Sequence, residues 1–339
     1  MASSIPRSYF LTGTAALASM SVALVRRPAC AAEFTLKLGT DLPENHPTIT
    51  YLRQAADLAR SRSEARVDVQ VFSNSQLGND SQMLSQVRTG AIDMMAVGDN
   101  ILATLVPVTA IDNVGFVWAN VKAPLAASDG ALGAYIRGEI EKTGLHVFAK
   151  IWDEGFRETT TSTHPIITAA DFSGVKIRVP PSPISTSLFK ALGASPTTIN
   201  ASEMYSALQT HIVDGEENPL ATISAHKLSE VQKYCSLTNH MWVGYWILVN
   251  AQTWTRLPKE IQENVASSFD ETADKQRAAV ERENNDLQAM LTSQGLKFNN
   301  TDPTSFRKQL AEVGFYKQWR ETFGETAWLL LEKYAGSLG

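Results

Sequence analysis

Residues 33–39 (Glu-Phe-Thr-Leu-Lys-Leu-Gly) alternate polar and apolar side chains, a period of two that predicts a half-buried strand. Pro43 and Pro47 then mark a loop, and Leu52, Ala55, Ala56 and Ala59 recur at helical spacing within residues 50–63. A second alternation covers residues 67–72, helical spacing returns over 76–89, and an apolar strand follows over residues 90–97. Strand, helix, strand, helix, strand in that order predicts parallel pairing in an α/β sheet.

The pattern recurs downstream. Residues 145–152 read as one strand and 175–179 as another. A helix over 183–192 stops at Gly193, and a further helix over 202–210 is capped by Ser202. Two α/β blocks in one chain predict two lobes with a cleft between them. Leu257-Pro258 introduces a polar–apolar segment over 259–294, long enough for a helix that bridges lobes. Gly295 closes it, residues 296–298 return as a strand, and residues 306–313 and 322–334 form the last helices.

The N-terminus reads as an export signal over residues 1–32. Arg7 precedes an uncharged apolar stretch from Phe10 to Val25, and Ala29-Cys30-Ala31 offers the small residues of a cleavage site near Ala31 or Ala32. Removing Arg7, Arg26 and Arg27 with that segment takes the net charge from −5 to −8. Such a chain is a poor partner for nucleic acid or an anionic membrane surface. Cys235 is then the lone cysteine, without an internal disulfide partner, so the fold must rest on its core.

Enzyme signatures are missing: no GxSxG elbow, P-loop, HExxH or GxGxxG occurs, and the six histidines show no metal-ligand spacing. Asp214-Gly-Glu-Glu-Asn218 lacks a calcium-loop pattern and reads as a turn with solvated carboxylates. Two arginines stand apart. Arg178 lies near the end of a strand that stops at Pro180-Pro181, and Arg157 follows the strand ending at Trp152. Open α/β sheets bind ligands at such strand ends. A guanidinium fork can hold a carboxylate through two parallel hydrogen bonds and keeps its charge at any working pH. Each arginine can alternatively be neutralised by a neighbouring acid such as Glu154 or Glu158.

From these residues outward the chain resembles the extracytoplasmic solute receptors of tripartite ATP-independent periplasmic (TRAP) transporters, the DctP-type receptor family. The stretches that carry the resemblance are Ser75-Gln-Leu-Gly78, Val87-Arg-Thr-Gly-Ala-Ile-Asp93 and Asp171-Phe-Ser-Gly-Val-Lys-Ile-Arg178. They continue in order through Leu192-Gly-Ala-Ser-Pro196, Glu203-Met-Tyr-Ser-Ala-Leu-Gln209, Val213-Asp-Gly-Glu-Glu-Asn-Pro219 and Trp254 to Gln262. The resemblance implies a two-lobe periplasmic solute-binding fold with a hinge and a long lobe-spanning helix. Lobe I would comprise residues 33–154 and 245–284, and lobe II residues 155–244 and 285–339. It also implies a small-molecule carboxylate ligand, the small and large membrane subunits of a TRAP transporter as partners, a periplasmic location and no cofactor.

Residue by residue, the resemblance makes Arg178 the carboxylate clamp, Arg157 a second cation and Asn218 a hydrogen-bonding partner of the ligand. Asp41 and Asn100 lie in loops after first-lobe strands and are the candidate contacts there. Trp152 and Trp242 offer aromatic surface, and Glu154 completes the ligand-binding set. His211 and Ala201 depart from the family pattern, which implies a differently shaped pocket wall. Two other readings stay open: a secreted α/β enzyme using Glu154 or His211 as base, and a receptor feeding a sensor kinase.

Overall fold

The computed structural model describes Met1 and residues 32–338, and ten strands organise these described residues. The expected export signal, with Cys30 and the cleavage site, lies outside the described residues. The strands are β1 (Phe34–Gly39), β2 (Val67–Phe72), β3 (Met94–Gly98), β4 (Leu145–Val147) and β5 (Trp152–Thr161), then β6 (Lys176–Val179), β7 (Ser195–Thr198), β8 (Gly215–Asn218), β9 (Tyr234–Asn250) and β10 (Lys297–Asn300). Their order is β2-β1-β3-β9-β5-β8-β6-β7, with β4 and β10 also paired to β9. As the strand–helix alternation predicts, β1 pairs β2 and β3 in parallel, and β6 pairs β7 and β8 in parallel. β9 and β5 run antiparallel between those two halves and join them.

The predicted strand over residues 145–152 stops at Val147, and Trp152 begins a second strand instead of ending the first, so Arg157 lies within β5 and not past a strand's end. Leu145–Val147 pairs with β9 at Asn250 to Leu248, and Trp152 resumes opposite Tyr245. Four residues face two of β9 across that gap: the Phe148 amide still donates to the Ile247 carbonyl (3.2 Å), and 149–151 leave the ladder, held by the Lys150 amide donating to Asp270 (2.9 Å). Beyond it β5 slips register between Asp153 and Gly155, where Gly155 has φ +90°. A second slip lies between Arg157 and Thr159, opposite Met241 and Ser236.

The first half carries α1 (Pro47–Arg62), α2 (Asp80–Thr89), α3 (Asp99–Leu102), α4 (Lys122–Asp129) and α5 (Ala131–Glu141). Asn79 starts α2 with a capping box, accepting from the Gln82 amide (3.0 Å) while the Gln82 side chain accepts from the Asn79 amide (2.9 Å). Then come α6 (Pro183–Ala191), α7 (Ala201–Gln209), α8 (Leu220–Ala225) and α9 (Ala251–Arg256). Ser202 does not cap α7: Asn200 occupies that place, without a side-chain bond. α10 (Lys259–Ser293) is the long helix the sequence predicts, and at 1.5 Å per residue it spans about 50 Å. Its Ile261, Val265, Phe269 and Ala273 pack in the core of the first strands, while Leu291 packs with Met204, Leu208 and Cys235 in another. Cys235 is fully buried, and burial pushes its thiol well above its usual range.

The last two predicted helices are three: α11 (Pro303–Glu312), α12 (Phe315–Phe323) and α13 (Glu325–Ala335). Gly314 (φ +75°) and Gly324 (φ +82°) separate them, a backbone that glycine adopts without strain. Phe306 of α11 stacks on Phe116 at 5.1 Å, and Trp328 of α13 joins the same core as Leu132 and Ile136 of α5.

Candidate ligand-binding site

β6 delivers Arg178 to a sealed position. Lys176 on the same strand is exposed, whereas Arg178 retains 2% of its accessible surface. Its Nε donates to the Ile199 carbonyl (2.8 Å), just past β7, which fixes the direction of the fork. Among the described residues its side chain makes no ion pair. Burial pulls its pKa below the ordinary guanidinium value, and the nearby Glu217 and Glu216 work against that. Arg157 and Asp80 also act on it electrostatically.

Arg157 is held differently. It lies on β5 beside β8, ion-paired through Nε to Glu217, with Nη2 donating to Glu217 Oε1 (3.0 Å) and Asn218 Oδ1 (3.0 Å). His240 Nε2 lies 3.0 Å from Glu217 Oε2, the same oxygen that pairs with Arg157 Nε. Burial alone would raise the Glu217 pKa; Arg157 and His240 outweigh it and hold the group at about 2. Glu217 therefore stays ionised and cancels the Arg157 charge.

Its neighbour Glu216 accepts from Thr160 Oγ1 (2.5 Å) and Asn218 Nδ2 (2.5 Å), and burial lifts it to about 7. The stretch expected to be a turn with solvated acids is thus a strand, with Glu216 and Glu217 fully buried. Pairing with β5 explains it: a Cβ at Gly215 would lie 2.4 Å from the Thr160 carbonyl, so glycine lets the two backbones meet. The acids then find their donors on β5 and β9.

A second wall comes from the first half of the sheet. Asp41, just after β1, accepts from the Tyr245 hydroxyl (3.1 Å). Asp80 opens α2 with 2% exposure, and its Oδ1 is buried without a hydrogen-bond partner. Burial pushes Asp80 well above the carboxylate range, the Asp41 charge adds to that, and Arg178 opposes it. Asn100 is equally buried with Nδ2 unpartnered, and Gly98 brings Asn100 and Tyr245 to one place, since a Cβ there would meet both.

Glu154 accepts from Thr48 Oγ1 (2.7 Å) and lies 3.4 Å from His46 Nε2. Burial raises Glu154 to about 8 and lowers His46 to about 3, so near neutral pH this is a contact between uncharged groups. Trp152 and Trp242 are fully buried: Trp152 lies 6.3 Å from the Phe269 ring, and Trp242 Nε1 donates to Asp153 (2.7 Å). An open hollow of about 560 Å³ lies elsewhere, along α10, lined by residues including Phe156, Asn239 and Arg277.

Sequence reading missed Glu216, Glu217, His240 and Asp80. An acid in the first turn of a capped helix is ordinary, because the helix dipole favours it, so nothing marked Asp80. Summed over the cluster, Arg157 is neutralised by a fixed carboxylate. Among the described residues Arg178 remains as the cation without a paired acid, within electrostatic reach of Asp80, whose buried Oδ1 has no hydrogen-bond partner.

Residues 38–321 match the family model described as bacterial extracellular solute-binding protein, family 7 (DctP). The chain is 31% identical over 277 residues to the 2,3-diketo-L-gulonate-binding periplasmic protein YiaO of Escherichia coli, covering 82% of this chain and 81% of that one. It is 32% identical over 307 residues to an uncharacterized protein, y4mM, of Sinorhizobium fredii; that match covers 91% of this chain but 56% of the relative. The chain thus spans little more than half of that relative's length. Among solved structures, a TRAP periplasmic solute binding protein from Sulfurospirillum deleyianum with bound succinate superposes with a TM-score of 0.83 at 27% identity, covering 90% of this chain and 99% of that one.

Proposed function

The chain belongs to bacterial extracellular solute-binding protein family 7, and from that membership we propose that it is the solute receptor of a TRAP transporter, closing on a small organic carboxylate. The observation that carries this reading is the Arg178 guanidinium, buried, anchored by one backbone carbonyl and unpaired by any acid among the described residues. A buried cation without a counter-ion is costly. An incoming carboxylate supplies that counter-ion through charge-assisted hydrogen bonds, each worth roughly 1.5–3 kcal/mol. Arg157, aimed by Glu217 and Asn218, is the second cation of the site, and Asp41, Asn100 and Tyr245 form the opposite wall.

Lobe I over residues 33–154 and 245–284 and lobe II over 155–244 and 285–339 are consistent with the register slip of β5 at Asp153 and Gly155. A hinge there lets the two walls part and meet around the ligand. The loaded receptor then docks on the small and large membrane subunits, in the periplasm to which residues 1–32 direct it. The relatives bind 2,3-diketo-L-gulonate and succinate, both organic acids, which supports the ligand class.

The test is a thermal-shift and calorimetric screen over organic acids, followed by recovery of the bound compound. A melting-temperature rise with ligand returned unchanged is the expected result, because ligand that binds only the folded state stabilises it by mass action. Chemical conversion of the ligand, or no response to any carboxylate, would refute the receptor reading.

A further inference from the structure

We propose that the hollow between α7 and the segment leading into β9 is a second ligand site, built for a neutral saccharide and separate from the residues around Arg178. The hollow measures about 760 Å³, within the range of small-molecule sites, and none of Arg178, Arg157 or Asn218 lines it. Such a site lies outside the receptor reading and does not depend on it.

A buried amide carries the assignment. Gln232 lines the hollow and retains 4% of its accessible surface. Its Nε2 donates to the Val231 carbonyl (2.8 Å), while its Oε1 is buried with no hydrogen-bond partner among the described residues. A buried acceptor without a donor is unfavourable, and a guest that brings an O–H completes it. Tyr205 adds a flat apolar surface. Its ring is half-buried beside the hollow, and its hydroxyl donates to Glu230 Oε2 (2.7 Å), which fixes the ring. An aromatic face packs against the C–H groups of a saccharide while its hydroxyls meet the polar groups around.

The remaining polar groups favour a guest without net charge. Asp214 accepts from the Lys176 amide through Oδ2 (3.2 Å), and Lys233 makes no ion pair among the described residues. Asp214 and Glu230 line the hollow together with Lys233 and His211, so neither sign of charge dominates. An anion meets two carboxylates there and a cation meets Lys233. A neutral polyol has a donor for each carboxylate and an acceptor for the ammonium. His211 points the same way. It follows α7 at φ +57°, in the left-handed turn that glycine fills most readily. It is also a departure from the family pattern, and the imidazole it brings lines the hollow.

The experiment follows binding to the purified protein by saturation-transfer NMR and by the ring resonances of its histidines. The probes are D-glucose, N-acetyl-D-glucosamine and maltose, with inorganic phosphate and choline as charged comparisons. We expect at least one saccharide to bind saturably, to shift the His211 resonances, and to bind at least fivefold more tightly than phosphate or choline. Tyr205→Ala and Gln232→Met should each weaken that saccharide at least fivefold. His211→Gly suits the turn, so it should weaken the saccharide at least twofold while the melting temperature holds or rises; a purely structural histidine would not behave so. No saturable saccharide binding, phosphate or choline matching the saccharides, or an affinity unmoved in all three variants would overturn the inference. Where Gln232→Met fails to fold, Tyr205→Ala, at a half-buried ring, decides. Affinity for a carboxylate found in the organic-acid screen should stay within twofold in Tyr205→Ala; a parallel loss would make the two sites one. Failure of that screen would refute the receptor reading and leave this test standing.

Discussion

At position 178 a fixed charge is combined with a fixed direction. The Nε bond to Ile199 spends the inner donor on the backbone and leaves the outer nitrogens of the fork for a ligand. Arg178→Lys keeps the charge but loses both the anchor and the planar fork. It should weaken carboxylate binding at least tenfold, about 1.4 kcal/mol or more, by calorimetry; an unchanged dissociation constant removes Arg178 from the site. Glu217 tests the other arginine. Glu217→Gln leaves Arg157 as an uncompensated buried cation beside His240, and chemical denaturation should show a loss of about 3–5 kcal/mol. Arg178 was legible because its strand stops at Pro180-Pro181, where α/β sheets place ligands. Glu216 and Glu217 were not: in Asp-Gly-Glu-Glu-Asn a buried acid and a solvated one look alike until the pairing donors on β5 and β9 are placed.

Local periodicity announced the early strands and helices well. β2 matches residues 67–72 residue for residue, and α10 lies within one residue of the segment predicted over 259–294. What periodicity does not contain is the partner. Residues 145–152 read as one strand because the run is mostly apolar; only the offset of β4 and β5 against β9 separates Val147 from Trp152. β8 depends on its partner even more directly, through the close approach at Gly215. Gly215→Ala places a methyl group 2.4 Å from the Thr160 carbonyl oxygen, an atom of backbone that cannot turn aside. The two strands must separate, at a cost of about 1–3 kcal/mol on the scale of overpacked interiors. Because β8 carries Glu217 and Asn218, carboxylate affinity should fall together with the melting temperature. A lower melting temperature with affinity intact would detach the site from this strand pair.

Across the whole molecule the buried acids set how stability follows pH. Glu154 is raised to about 8, Glu216, Glu158 and Asp99 to about 7, and Asp153 to about 6, in each case by burial first. Through these acids the folded state holds protons that the unfolded chain releases, and their contribution falls as pH climbs from about 4.5 through 8. It outweighs that of the buried neutral His46 and His226, which rises with pH up to about 6.5. Glu217 acts in the opposite sense: its contribution is present above about 4.5 and fades as pH drops toward 2. The unliganded protein should accordingly melt at a higher temperature at pH 5 than at pH 8, by scanning calorimetry. A flat profile would mean that these acids are solvated in the free receptor. The overall two-lobe plan could be anticipated from the doubled α/β pattern and the long helix. The charge state of its interior could not, because burial is a property of the assembled halves.

The sulfur of Cys235, shut inside the core that α10 shares with α7, makes the receptor its own clock. In protein lacking residues 1–32 it is the lone thiol, and an alkylating reagent reacts only with a thiolate it can reach. Every adduct then registers one excursion in which that core came apart, so the labelling rate gauges local opening without any introduced probe.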